Sequence, residues 1–324
     1  MDSRISIIVP VYNAASTLER CVRALMGQTH KNIEIILVND GSRDNSLELC
    51  QSFAAEDDRI RVIDKPNGGV SSARNAGLDA ATGQFIMFCD SDDWAEPDWC
   101  GELLSHYEEG CLVMCGHYVE GDQPYLPHEI RAEAGADRYA PGDFYRLKLK
   151  NFNAPWNKLY AAGVIASTKL RFLESLTNGE DMLFSLQYLV CGIREIVFLD
   201  KCVFHYEWPR ETSLSRAVPR NYLEQCRLLS SRIQALAQKL GIDEAGRRQL
   251  MTDFYNEFQK LQLTILDNRS LSAGQKLQQL REVMSCDEYR RCAADAHIST
   301  NPVYCWLARR RTGLGLWLWH QIRR

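Results

Sequence analysis

Much is missing from this 324-residue chain, and each absence removes a class of protein. No apolar stretch approaches the ~20 residues that a membrane-spanning helix needs. There is no surplus of positive charge: 38 Lys and Arg against 42 Asp and Glu leave a net charge of −4. Nucleic acid is therefore not expected as a partner of the chain as a whole. There is no CxxC and no ordered Cys/His array, so the 12 cysteines, scattered singly from Cys21 to Cys305, do not read as a zinc framework. Cys89 and Cys115 lie inside apolar runs, where a free thiol behaves as a small hydrophobe, and reduced thiols in a cytosolic protein are expected. The opening MDSRISIIVP lacks the basic segment and apolar core of a secretory signal. Neither GxGxxG nor GxxxxGKS/T follows a strand, which sets aside dinucleotide-binding and P-loop sites. Internal repeats and low-complexity tracts are absent as well.

What remains is an ordinary globular composition, 45% hydrophobic and 25% charged, long enough for one large domain or two unequal ones. The first 120 residues alternate short β-rich runs with helical patterns. ISIIV (5–9), NIEIILVND (32–40), IRVID (60–64) and QFIMFC (84–89) read as strands. Between them STLERCVRALMGQ (16–28), SLELCQSFAAE (46–56) and SSARNAGLDAA (71–81) carry helical spacing, with Ser16 and Glu19 fitting a capping box. Such alternation predicts an α/β fold, a mostly parallel sheet with helices on both faces. Residues 94–210 are mixed: a helix after Pro97, a strand at 112–119, a polar loop near 120–142, helices near 143–150 and at 182–190, and strands at 195–199 and 202–207. Long helical patterns at 222–240 and 247–266 follow, so the chain divides into an α/β domain (1–215) and an all-helical C-terminal region (216–324).

In open parallel sheets, ligands bind beyond the carboxyl ends of the strands. PVYN (10–13), NDGS (39–42) and CDSDD (89–93) leave the first, second and fourth strands at that edge. The third of these crowds Asp90, Asp92 and Asp93 into four positions. Neighbouring carboxylates repel and are costly to desolvate unless something positive offsets them. An Asp-x-Asp pair at a strand end suits Mg²⁺ or Mn²⁺, which takes oxygen ligands and completes its shell with substrate phosphates. Asp92 reads as the direct ligand and Asp90 as its partner, toward metal or ribose hydroxyls. The plainer alternative is a turn whose Asp side chains bond backbone amides. Asp40 allows two compatible roles, in a turn and as acceptor for a base or ribose. In KPNGGVSSARNAG (65–77), Asn67-Gly68-Gly69 makes a tight turn, and Arg74 faces either phosphates or solvent.

Taken together, SIIVPVYNAASTLERCVRALMGQT, NIEIILVNDGSRDNS, NGGVSSARNAGLDAATGQFIMFCDSDD and GEDMLF resemble the family-two glycosyltransferases, in order and at similar spacing, over about residues 4–210. The resemblance implies a GT-A fold, a nucleoside-diphosphate-sugar donor (a UDP-sugar first among them), a divalent cation and an inverting mechanism. It implies that Asp40 contacts the base, that Asp90 and Asp92 are the DxD pair, and that Asp181 is the catalytic base. Pro10, Tyr12, Asn13, Asn67, Arg74 and Ser91 are the further donor-binding candidates.

One base is chemically sufficient. A nucleoside diphosphate is a good leaving group, so only the acceptor hydroxyl needs a proton acceptor. NGEDMLF (178–184) supplies one at a helix start, where the helix dipole favours Glu180 and Asp181. Glu180 serves as its neighbour or as an acceptor ligand; the alternative is a pair of ordinary acidic helix-start residues. In PWNKLY (155–160), Trp156 is a candidate sugar platform beside Lys158, or a core tryptophan. His205, Arg210 and Ser213 belong to a segment able to close over the diphosphate, with His205 as a further candidate metal ligand or a strand histidine. The last segment (301–324) mixes Trp306, Trp317 and Trp319 with five arginines, which suits either a membrane-interface helix or a helix packed on protein or in a homodimer. The expectation is a cytoplasmic glycosyltransferase, at the inner face of the cell membrane if that helix binds lipid. It would act on a glycan or lipid-linked sugar in polysaccharide, capsule or lipopolysaccharide synthesis. The rivals are a non-catalytic glycan-binding or assembly subunit and a sugar nucleotidyltransferase. The latter's basic glycine-rich loop is replaced here by PVYNAAS.

Overall fold

The computed structural model of the chain describes residues 3–121, 129–132, 136–150, 152–208, 221–295 and 313–323. It forms two compact units, Met1–Ser215 and Arg216–Arg324.

In the first unit, β1 (Ile5–Val11), β2 (Ile33–Asp40), β3 (Ile60–Lys65) and β4 (Phe85–Phe88) pair in parallel in the order 3-2-1-4. Every residue of β1 and β2 is buried, as β-branched runs covered on both faces should be. One face of β1 (Ile5, Ile7, Val9, Val11) joins a core with Leu18, Cys21, Val22 and Leu25 of α1 (Leu18–Met26) and Cys50 and Phe53 of α2 (Ser46–Glu56). The opposite face meets α3 (Val70–Ala80), whose Gly77 lies directly on Ile8. A Cβ built on Gly77 would stand 2.3 Å from Ile8 Cγ2.

The sheet continues through β9 (Lys158–Ala161), which runs antiparallel between β4 and β6 (Cys111–Glu120), then β10 (Glu195–Glu207) and β5 (Trp94–Ala95). β7 (Glu129–Ile130) pairs with β6, and β8 (Ala136–Tyr139) with β10. The stretch expected to be loop (120–142) thus contributes two short strands, and 195–207 is one strand rather than two. Its register with β6 shifts between Phe198 and Cys202, and again between Cys202 and Phe204. Asp200-Lys201 breaks the apolar pattern there without ending the pairing. β9 and α5 (Ala162–Thr168) were not expected; four strand residues give too short a period to read. The expected helix near 143–150 is a 3-10 helix, Pro141–Lys150, and α4 (Trp99–Ser105) and α6 (Glu180–Leu189) complete the unit.

The capping box at Ser16 does not form: Thr17 is the N-cap, with no side-chain cap bond. The turn before α1 is instead held by the loop after β2: Asn13 N donates to Ser42 Oγ, Ala14 N to Ser46 Oγ and Ala15 N to Asp44 Oδ2.

The second unit contains α7 (Tyr222–Lys239), α8 (Glu244–Asp267), α9 (Ala273–Ser285), α10 (Asp287–Asp295) and α11 (Gly313–Arg323). Asp243 caps α8 and a full capping box, Ser272 with Gln275, opens α9. Rings of Tyr255, Phe258 and Tyr289 meet between α8 and α10. α11 packs on α9, with Leu316 buried and Gly313 close to Leu280 and Met284, while Leu314 and Leu318 stay exposed. Residues 301–312 of the arginine-rich segment lie outside the described residues. Among the described residues every cysteine is free, and no helix is long and apolar enough to cross a membrane.

Gly77→Ala should lower the urea midpoint by an amount equivalent to about 1–3 kcal/mol, because the stiff Ile8 side chain inside a packed sheet cannot give way cheaply.

Candidate active site

The carboxyl ends of β1, β2 and β4 carry the polar loops. In the first, Asn13 has φ 49 and its Oδ1 accepts from Arg43 N at 2.8 Å, so the first and second loops are joined. Pro10 is buried within β1, and Tyr12 stands beyond it at 41% exposure, a ring free to meet a flat ligand.

Asp40, at the end of β2, is buried and fully engaged. Its Oδ1 accepts from Lys65 Nζ (2.5 Å) and Gly68 N (2.9 Å), and its Oδ2 from Gly69 N (2.8 Å). Asn67 Nδ2 donates to the Asp40 carbonyl at 2.9 Å. Gly41 is needed where it stands: its φ is 67, and a Cβ there would come within 2.8 Å of Asn67 N. Asp40 therefore builds the loop that opens α3, and in this state its carboxylate is not presented to a ligand.

The third loop answers why three aspartates are crowded together. Asp93 is buried and accepts from Glu207 N at 2.8 Å, tying the loop to the end of β10. Burial, then Asp90 and Asp92, push its carboxyl well up. Asp92 is exposed at the rim, beside Ser91. The protein walls, then the Asp90 and Glu207 carboxylates, push it up to about 6. Arg20 of α1 leans across this loop: it donates to the Asp92 carbonyl (2.7 Å) and Glu207 Oε2 (3.0 Å), and its guanidinium lies 3.7 Å over the Trp94 ring.

Arg74 is the centre of the arrangement. It is 3% exposed, and its Nη2 donates to Asp90 Oδ1 at 2.9 Å while Nη1 donates to Asp181 Oδ1 at 2.5 Å. Glu180 Oε1 is 3.7 Å from Nη1. Its Nε is buried without a hydrogen-bond partner among the described residues. Asp181 starts α6 after Gly179, whose φ of 80 makes the entry turn. The Asp181 side chain keeps 27% exposure, enough for a small hydroxyl to reach it. Burial pushes its carboxyl up to about 8 against the pull of Arg74, with Glu180 and Asp90 adding to the rise. Burial likewise raises Glu180.

Three sequence candidates are not brought to this cleft as expected. Trp156 is 3% exposed and stacks on Phe204 (4.7 Å) and Tyr206 (5.1 Å), so it is a core ring and offers no face to a sugar. Lys158 is buried, donating to Asn157 Oδ1 (2.7 Å) and the Ala154 carbonyl; burial pulls it down to about 7. His205 has both ring nitrogens on carboxylates, Nε2 on Glu96 and Nδ1 on Glu120, each at 2.8 Å, and its ring lies between Trp94 and Tyr118. No nitrogen is left for a cation. Arg210 and Ser213 lie outside the described residues. Among the described residues no group of three or more His, Cys, Asp or Glu side chains gathers as a metal cage.

Sequence reasoning missed Arg20 and Lys65. Arg20 falls off the buried stripe of α1 and reads as solvated; its partners are 72 and 187 positions away. Lys65 carries a local signal, a lysine one residue before a proline-led turn and directly opposite Asp40 in the parallel register.

Residues 6–175 match the family described as Glycosyl transferase family 2, and the chain belongs to it. EpsH of Bacillus subtilis is 34% identical over 221 residues, covering 62% of this chain and 60% of EpsH. The glycosyltransferase GlyA of Streptococcus pneumoniae is 32% identical over 249 residues, 73% of this chain and 35% of GlyA. The chain thus spans less than two thirds of either relative. Among solved structures, TarS 1–349 of S. aureus in complex with UDP-GlcNAc superposes with a TM-score of 0.73 at 20% identity, over 99% of this chain and 91% of that one. A mannosyltransferase of Pyrobaculum calidifontis, in complex with GDP-Man and Mn2+, gives 0.53 at 13%, over 99% and 88%. The fold is GT-A.

Asp40→Asn should destabilise the protein by about 1–3 kcal/mol, since one of three buried donors then faces an amide instead of a carboxylate oxygen. Differential scanning calorimetry reads this as a lower melting temperature.

Proposed function

We propose that the chain is an inverting glycosyltransferase that moves a sugar from a nucleoside-diphosphate donor to a hydroxyl acceptor in bacterial surface-polysaccharide synthesis. The observation that carries this reading is the single Arg74 guanidinium joining Asp90, of the DxD pair, to Asp181. Donor-side and acceptor-side carboxylates are thereby within one side chain's span.

The residues present fit a divalent cation. Asp92 is exposed beside Asp90, and burial, then the Asp90 and Glu207 carboxylates, push its carboxyl up to about 6. Asp90 and Asp92 would hold Mn²⁺ or Mg²⁺, which when bound neutralises charge on a leaving diphosphate. The protein's own part is positional. Tyr12 and the loops of Asn13 and Asn67 flank the nucleotide. Arg74 holds Asp90 and Asp181 at a fixed separation through its two Nη groups. Asp181 accepts the acceptor hydroxyl proton as the new bond forms at the anomeric carbon, and the electron pair of the breaking bond leaves on the diphosphate oxygen. A base whose pKa is raised toward neutrality is better matched to a hydroxyl than an ordinary carboxylate is. A UDP-sugar is the favoured donor because the TarS structure holds UDP-GlcNAc.

The sign of the pH dependence follows. The working form of Asp181 is ionised, and its pKa is raised, so kcat/KM should fall as pH drops through about 8 rather than near the usual carboxylate range. Initial rates from pH ~3.5 to ~9 measure this, and an acid limb near 4 would overturn the raised pKa of the base. Asp181→Asn should cut transfer by roughly 10²–10⁴-fold while leaving nucleotide binding nearly intact. Asp92→Asn should weaken specifically the Mn²⁺-dependent part of the thermal shift produced by UDP. A well-folded protein that releases no nucleoside diphosphate from UDP-, GDP- or dTDP-sugars with Mn²⁺ would instead be a binding or assembly subunit.

A further inference from the structure

Next to Arg74 on α3 stands Asn75, half-buried and outside the donor cleft's contacts. Its side-chain amide makes a two-way pairing with one backbone residue. Nδ2 donates to the Phe172 carbonyl at 3.0 Å, and Oδ1 accepts from Phe172 N at 2.9 Å. Nδ2 also donates to Glu174 Oε1 at 3.1 Å. An amide that satisfies both polar groups of one residue fixes that residue's place and orientation, as a neighbouring strand would.

Phe172 passes this constraint on. Its ring lies face to face with Phe184 of α6, centroids 4.0 Å apart and planes within 1°. Phe88 sets its edge against both rings, and the Arg74 guanidinium lies 5.2 Å over Phe172. Phe184 sits three residues after Asp181, on the same side of the helix. Two successive residues of α3 therefore reach the start of α6: Arg74 directly to the Asp181 carboxylate, and Asn75 through Phe172 to the helix that carries it.

We propose that Asn75 is a positioning residue for the acceptor-activating carboxylate, holding the segment 172–178 and α6 so that Asp181 keeps its aim. This rests on the reading of Asp181 as the base. Misplacing a reacting group by about 1 Å can cost ~10²-fold in rate, whereas donor binding draws on loops anchored elsewhere, at Asp40 and Asp93. The role therefore has a kinetic signature: a loss in kcat without a matching change in KM for the donor.

The experiment uses the full chain with UDP-GlcNAc and Mn²⁺, reading UDP release, together with the thermal shift caused by UDP. Asn75→Ala removes all three hydrogen bonds; Asn75→Asp keeps an acceptor for Phe172 N but loses both donations and sets a carboxylate against Glu174. Both should lower kcat, Asn75→Ala by about 10–100-fold, with KM and the UDP-induced shift within about twofold of wild type. Amide hydrogen exchange in 172–181 should be faster in both, which is read even if one variant is poorly active. Wild-type kcat in the two variants, unchanged exchange, or a parallel loss of UDP binding would overturn the proposal. A well-folded wild-type protein that binds UDP yet releases no nucleoside diphosphate from UDP-, GDP- or dTDP-sugars would overturn the function on which the proposal rests.

Discussion

The arrangement depends on one buried cation. Arg74 comes from the helix between β3 and β4, Asp90 from the end of β4, and Glu180 and Asp181 from the start of α6, some hundred residues later. Without the guanidinium, three carboxylates would face each other in a region of low dielectric, and at least one would have to take up a proton. With it, each acid has a fixed distance from the others. A planar fork suits this role because it donates in two directions at once; a lysine offers a point charge and would have to choose. The burial of Arg74 is stabilising only because its partners are in place, so the pair of loops and the helix start are interdependent.

Behind the cleft lies a layer of side chains whose types look functional and whose surroundings make them structural. Because β9 runs antiparallel beside β4, its first residues arrive at the carboxyl edge of the sheet, which brings Trp156, Asn157 and Lys158 under the site without opening them to it. His205 illustrates the same point. Held between two carboxylates and two rings, it ties β5, β6 and β10 together near the DxD loop. Arg20 extends this ring stack outward through Trp94, and Asp93 fastens the loop to Glu207. The DxD turn is thus braced on three sides by side chains that do not take part in the chemistry.

How much could be read in advance varied with how local the cause was. The strands and helices from β1 to β4 were legible because continuous β-branched runs and 3.6-residue spacing are properties of ten consecutive residues. The convergence of three polar loops on one sheet edge followed from topology alone. The short strands β7, β8 and β9 were not legible, since two to four residues carry no period, and the unity of β10 was hidden by Asp200 and Lys201. In the site, Asp90, Asp181 and Arg74 stood out by position, but that one guanidinium joins them is a fact of packing. For Trp156, Lys158 and His205 the sequence left a binding role and a structural role open, and packing favours the structural one: residue type says what a side chain can do, and only burial says whether it is free to do it.

The parallel core has a consequence for biosynthesis. Ile5 is paired on one side by Ile33 and on the other by Phe85, so β1 is a central strand only after β4 has emerged. Until then its apolar edge and faces are open on the growing chain, and closing them requires a long-range contact, the slow kind. Conditions that stall translation between these strands would leave that apolar surface exposed, the kind of intermediate that aggregates.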